Sequence, residues 1–307
     1  MSEHQHYEFA AIDRPLTAAE QTEVRALSPG AQVTATSFTA DHEPDDFGGD
    51  PARMMERYYD AHVYVTGWGV NQVMLRLPEK LLDLATVEPY LVDELFEGWV
   101  TDDEHLILDL RNEDEEAGLA ESPPEGWLTA VSGVRAELAS GDSRPLYLAW
   151  LAAVGTWERD EDAFDEDMED ELEPPVPAGL RSLTAAQRAL AAFLRLDADL
   201  LATAATAAPE LPAGRDDPAG LARWIERLPE EDKNALLLRA ARGDDAPVRM
   251  ELLGRFHRET GAPSGGEDAG AYGESGGEGA RRTVAELLDA TATARQERGR
   301  HRTADQA

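Results

Sequence analysis

The chain changes its periodicity part-way along. In residues 1–111 apolar and β-branched side chains come in short runs bounded by turn residues, the pattern of strands, with two helical stretches between them. Beyond residue 126 the apolar positions recur at three- and four-residue intervals, the pattern of helices. Tyr7–Ile12 is an aromatic-rich run ended by Asp13, Arg14 and Pro15, and it predicts a first strand. Thr17 stands three residues before Glu20, the spacing of a reciprocal capping box, and Val24 and Leu27 continue one face until Pro29-Gly30 stops it. Gln32–Phe38 is rich in β-branched residues and predicts a second strand. Asp50-Pro51 opens a helix carrying Met54, Met55 and Tyr58, with proline where its missing N–H costs nothing. His62–Gly67 and Gln72–Leu77 read as a hairpin turning through Trp68–Asn71, and His105–Leu110 as one further strand. Residues 1–111 are thus expected to be α+β, with a mixed or antiparallel sheet flanked by helices.

Residues 112–125 are acidic and end in Pro123-Pro124, which predicts a linker. An all-α domain is expected over 126–258. Trp127–Leu138 is its first helix, closed by Gly141. Pro145–Trp157 contains no charged residue, so it is expected to be the central, most buried helix, with Trp150 in the core beside Leu146 and Tyr147. Thr184 and Gln187 repeat the capping spacing, Asp199–Ala208 is an alanine-rich helix, and Leu221, Trp224, Ile225 and Leu228 fit one helical stripe. Pro229 with three following carboxylates opens another helix, and Ala246–Arg258 is the last core helix predicted. Residues 259–307 are expected to be a disordered tail: 260–280 is glycine-rich, and Thr283–Arg298 is at most one isolated helix, led by a capping box at Thr283 and Glu286.

Charge narrows the function. Among 307 residues there are 28 Lys+Arg and 62 Asp+Glu, a formal net charge of −34. A phosphate-backbone binder needs a basic face, so direct nucleic-acid binding is not expected, whereas a basic partner is. There is no cysteine, which excludes disulfides, thiolate metal sites and cysteine nucleophiles. No apolar run reaches the length of about 18 residues that a membrane helix needs, and the N-terminus has no basic segment leading into an apolar one, so a cytoplasmic protein is expected.

Candidate chemistry is sparse. No phosphate-cradling glycine loop, nucleophile elbow or His-Glu-x-x-His helix is present, and no catalytic residue, cofactor or metal is assigned. His42 lies among Asp41, Glu43, Asp45 and Asp46, but no second histidine accompanies it at helical or strand spacing; His4 and His6 read as part of a flexible tail. The acidic loop 158–175 includes Glu158–Glu173, eleven carboxylates in sixteen residues, without the glycine a calcium-binding EF-hand loop needs. It is a candidate docking strip for a basic partner, through Asp160, Asp162, Asp165, Asp167, Glu169 and Glu171. The alternative is a small-molecule or metal-dependent enzyme with a site at the junction of the two domains, built from His62, His105, Asp142 and Arg144. Arg135 and Arg144 are both candidate partners of Asp142.

Four segments carry a resemblance: HYEFAAIDRPLT, GDSRPLYLAWL, ELEPPVPAGL and RWIERLPEEDKNALLLR, in this order over about residues 6–258. Together they resemble an uncharacterised bacterial protein family whose members are often encoded beside SWIM zinc-finger proteins. The resemblance implies a basic zinc-finger partner and brings no catalytic residues. The chain is therefore expected to be a non-enzymatic accessory or adaptor protein.

Overall fold

A computed structural model describes residues 4–28, 30–42, 47–114, 126–157, 171–211, 218–241 and 281–305, and the single positions 248, 252, 255 and 256. Seven strands and ten α-helices occur among the described residues. The capping box forms: the Glu20 amide donates to Thr17 Oγ1 at 3.3 Å and the Thr17 amide to Glu20 Oε2 at 2.7 Å, starting α1 (Ala18–Leu27) after β1 (Gln5–Ala10). The β-branched run that follows is two strands, β2 (Gln32–Val33) and β3 (Ser37–His42). Thr34 divides it, its hydroxyl accepting from the amides of Thr36 and Ser37 and so turning the chain where alternation alone predicts continuity. Asp50 caps α2 (Pro51–Arg57), and β4 (Ala61–Thr66) pairs with β5 (Val70–Pro78) through a hairpin whose Gly69 has φ 105°, a left-handed conformation that costs glycine nothing. A short helix α3 (Leu84–Val87) and a 3₁₀ turn over Glu88–Tyr90 lead into β6 (Phe96–Val100) and β7 (His105–Glu113).

All pairings are antiparallel, in the order β2-β3-β1-β4-β5-β7-β6. The outer strands are short: β2 has two residues, and β6 has five, its start held by its own chain through reciprocal Val92–Phe96 backbone bonds.

Strand alternation sorts the core into two layers. On one face Phe9, Phe38, Met74 and Ile107 meet Val24 of α1 and Met54 and Met55 of α2. On the other, Val63, Val73, Leu75, Leu77, Leu106 and Leu108 meet the second half of the chain: α4 (Trp127–Ala139), α5 (Arg144–Trp157), α6 (Ala185–Phe193) and α7 (Ala198–Ala207). The sheet and helices α4–α7 share one core, to which Leu82, Val87 and Tyr90 also contribute. α5 is the buried helix its composition predicts, with every side chain from Leu146 to Val154 at or below 3% exposure. The α4–α5 joint is a tight C-cap: Gly141, at φ 83°, donates to the Leu138 carbonyl, and the Asp142 amide donates to that of Glu137. Helices α8 (Pro218–Arg227) and α9 (Glu230–Ala240) build a separate small cluster around Trp224, Leu228 and Leu236, joined by Val248 and Phe256 of the last predicted core helix.

The expected disordered tail is corrected in part. Residues 281–305 carry α10 (Val284–Asp305), longer than predicted and not isolated, since it lies against α7 with Val284 and Leu287 fully buried in the shared core. Residues 257–280 lie outside the described residues.

Candidate partner-binding site

The site is built where α10 meets α7. Asp197 starts α7, its Oδ1 accepting from the amides of Asp199 and Leu200 at 2.8 Å each. The same oxygen takes Arg295 Nη2 of α10 at 2.8 Å, and Asp199 takes Arg298 Nη1 at 2.5 Å. Burial alone would raise the Asp197 pKa, but Arg295 and the two amides outweigh it and hold the carboxyl below its usual range.

At the other end of α10, Thr283 and Glu286 form the predicted capping box. Just before it, Arg282 donates from Nε to Glu173 Oε2 and from Nη2 to Oε1, each at 2.8 Å. Glu173 is buried and also accepts from the Tyr147 hydroxyl of α5. Burial and the Glu173 charge push the Tyr147 pKa well up, so it stays a donor; the hydrogen bond to Glu173 also raises that of Arg282. The backbones join as well: Glu173 N donates to Arg282 O, and Val284 N to Glu171 O, around a bridge between Leu172 and Thr283. Two places along the body thus present carboxylates to arginines of one C-terminal segment, and between them Val284, Leu287 and Thr291 are buried. The C-terminal segment is thus held by a forked, charge-assisted contact before the helix, by single ion pairs near its other end, and by apolar burial between them.

Of the docking strip read in the sequence, Asp160, Asp162, Asp165, Asp167 and Glu169 lie outside the described residues. Glu171 is exposed and holds α10 through its carbonyl. Glu173, at the end of the acidic run, is buried rather than part of an open loop, because Arg282 and Tyr147 both donate to its carboxylate.

The alternative enzyme constellation is not brought together. His62 is fully buried on the aromatic face of the sheet, stacked on Phe9 at 3.9 Å between ring centroids, with Nδ1 2.9 Å from the Glu8 carbonyl. Asp142 and Arg144 belong to the helical layer on the opposite face, paired with each other at 2.6 Å and bonded to Gln187 and the Ser182 carbonyl. His105 begins β7, bonded to the Asp103 carbonyl. Arg135 does not pair with Asp142; it reaches Asp13 Oδ2 at 2.6 Å and the Arg76 carbonyl beside buried Asp60. A cleft of about 200 Å³ does open beside the α4–α5 joint, lined by Glu79, Lys80, Asp83, Thr86, Asp142 and Ser143 among others, and neither His62 nor His105 reaches it.

The N-terminal histidines are also corrected. They are no loose tail: His6 lies in β1 opposite Asp41, bonded to it at 2.7 Å and to Glu8 at 3.2 Å, and His4 reaches Asp41 at 3.1 Å. Among the described residues no group of three or more His, Asp or Glu is arranged to hold a metal ion, and no helix is long and apolar enough to cross a membrane. Asp197, Asp199 and Glu173 escaped the sequence reading. An aspartate before an alanine-leucine run signals a cap, but nothing local joins position 173 to 282 across 109 residues.

No family model matches the chain, and neither a curated protein nor a solved structure is similar to it.

Proposed function

We propose that the chain is a non-enzymatic adaptor that binds a basic protein partner in the cytoplasm. The observation that carries this reading is that acidic positions of the body already hold arginines of the C-terminal segment: Glu173 holds Arg282, and Asp197 and Asp199 hold Arg295 and Arg298. A chain with a net charge of −34 also attracts cationic partners over distance and speeds their encounter. The partner we name is a SWIM zinc-finger protein, on the strength of the four segments that resemble the family encoded beside such proteins. The acidic run offers the remaining carboxylates, and the partner, not this chain, contacts nucleic acid.

Co-expression with a SWIM zinc-finger protein of the same genome tests the reading. A complex that co-elutes at micromolar concentration in about 0.15 M salt, and weakens as salt rises, is the expected result. Separate elution under these conditions overturns it.

A further inference from the structure

We propose that His6 is a pH-sensitive clasp: charged, it holds the start of β1 against β3, and it loosens that end of the sheet when its ring gives up a proton. The carboxylates it uses are not those that hold the C-terminal segment.

The charge follows from what faces the ring. His6 lies in β1 directly opposite Asp41 of β3. Its Nδ1 is 2.7 Å from Asp41 Oδ1, and its Nε2 is 3.2 Å from Oε1 of Glu8, further along β1. A neutral imidazole offers one N–H and one lone pair, whereas an ionised carboxylate only accepts. Carboxylates at both ring nitrogens are therefore satisfied together only by the imidazolium, which donates twice. His4 Nε2 adds a third contact, 3.1 Å from the same Asp41 oxygen, and the His4 carbonyl accepts from the Gly67 amide beside the β4–β5 hairpin at 2.8 Å. One carboxylate of β3 thus gathers both histidines, and the hairpin is tied to them through the backbone.

The neighbouring elements bring no rival charge among the described residues. Val65 of β4 stands opposite His6 on the other flank of β1. His62 of β4 stacks on Phe9 on the opposite face and is kept neutral by burial, and Tyr64 packs on Tyr7 on that same face. His42 of β3 bonds Ser28 Oγ at 2.9 Å. Of α4, which also packs on β1, Arg135 bonds Asp13 past the far end of the strand and Glu137 bonds Gln187. Burial alone would lower the His6 pKa, but the bonds and charges of Glu8 and Asp41 outweigh it and raise the pKa above 6.5. For Asp41 burial pulls upwards, and His6 and His4 outweigh it and hold the carboxyl below its usual range.

A group whose pKa is higher in the folded chain adds stability that is complete below its free value, here 6.5, and fades as pH rises through the folded value. Once the proton is gone, one N–H remains for two carboxylates. One contact then sets a lone pair against an acceptor, and the other loses its charge assistance. Tyr7 and Phe9 still anchor β1 from the opposite face, so the loosening is confined to the start of β1 and the end of β3 that carries Asp41.

Nuclear magnetic resonance on the full chain with labelled histidine tests this. The His6 ring is expected to titrate with a midpoint above 6.5, both nitrogens carrying protons at about pH 6. Amide protection over 5–8 and 39–42, corrected for the intrinsic pH dependence of exchange, should fall about fivefold between about pH 6 and about pH 8.5, the difference between a charge-assisted and a neutral bond. Residues 73–77 and 106–110, paired between β5 and β7, should keep theirs. His6→Gln should lower protection at the acid end and abolish the fall, whereas His6→Arg, always charged, should keep protection high throughout. A His6 midpoint at or below 6.5 overturns the proposal, and it is read on the unaltered chain, whatever the variants do. A fall that persists in His6→Gln, or one that disappears in His4→Gln while His6 still titrates, assigns the pH dependence elsewhere and overturns it too.

Discussion

The two faces of the sheet are held by different means. On the side of α1 and α2 the contacts are aromatic: Tyr7 stacks on Phe47 at 4.3 Å, Phe9 lies on His62, and Phe38 meets Phe9 edge-on at 5.4 Å. Among the titratable groups buried there is the His62 imidazole, whose pKa burial pushes down to about 3, so it packs as a neutral ring. On the side of α4–α7 the apolar contacts are mostly aliphatic, and the buried charged groups come as ion pairs, Asp142 with Arg144 and Glu173 with Arg282. Protonation of His62 therefore opposes folding on the first face, and loss of a partner leaves a buried charge uncompensated on the second.

The largest expected effect is on the aliphatic side. Trp150→Ala truncates a buried aromatic beside Tyr147 and should cost about 3–5 kcal/mol, read as a lower melting temperature or denaturant midpoint. A variant with unchanged stability would place Trp150 outside the core and remove the contrast.

The next effect belongs to the aromatic side and is driven by pH. The folded-state pKa of His62 lies below the free value of 6.5, so above that value the ring is neutral in both states and folding is not opposed. As pH falls below 6.5 the unfolded chain takes up the proton first, and stability declines towards the folded value of about 3. At pH 4 the loss is about 3 kcal/mol, at roughly 1.4 kcal/mol per pH unit. His62→Leu should flatten the stability profile by that amount between pH 6.5 and 4; a variant with the parent's slope would show that acid sensitivity lies elsewhere. A smaller effect, about 2 kcal/mol, is expected for Arg282→Ala, which takes two charge-assisted bonds from Glu173 but leaves it Tyr147 as donor. Its signature is local: faster amide exchange in 284–291 with α5 unchanged. Global unfolding at the same denaturant concentration as local opening would mean that α10 and the core are one cooperative unit.

What the sequence disclosed was local. Capping boxes at Thr17, Thr184 and Thr283 form as read, since each is decided within four residues, and the uncharged stretch from Pro145 to Trp157 is the buried helix. β6 was missed because Glu97 and Gly98 interrupt its alternation and because the turns beside it place Glu94 and Glu104 at φ 65° and 59°, where no glycine or asparagine marks the bend. The pairing of Arg135 with Asp13 and of Arg282 with Glu173 spans 122 and 109 residues, and chain order carries no trace of either. The same holds for the candidate site: its carboxylates are ordinary members of an acidic composition until the fold sets arginines against them.

The edges of the sheet bear on how the protein behaves in a crowded solution. A strand with a free row of amides and carbonyls invites a neighbouring copy to extend the sheet, the first step of aggregation. Here one margin ends after two residues, and the other begins with Phe96 already engaged by Val92 and carries an exposed glutamate, Glu97, along it. Like charges on every copy add repulsion to this poor template. Both margins are thus poor templates for a second copy, and the shared negative charge weighs against edge-to-edge pairing.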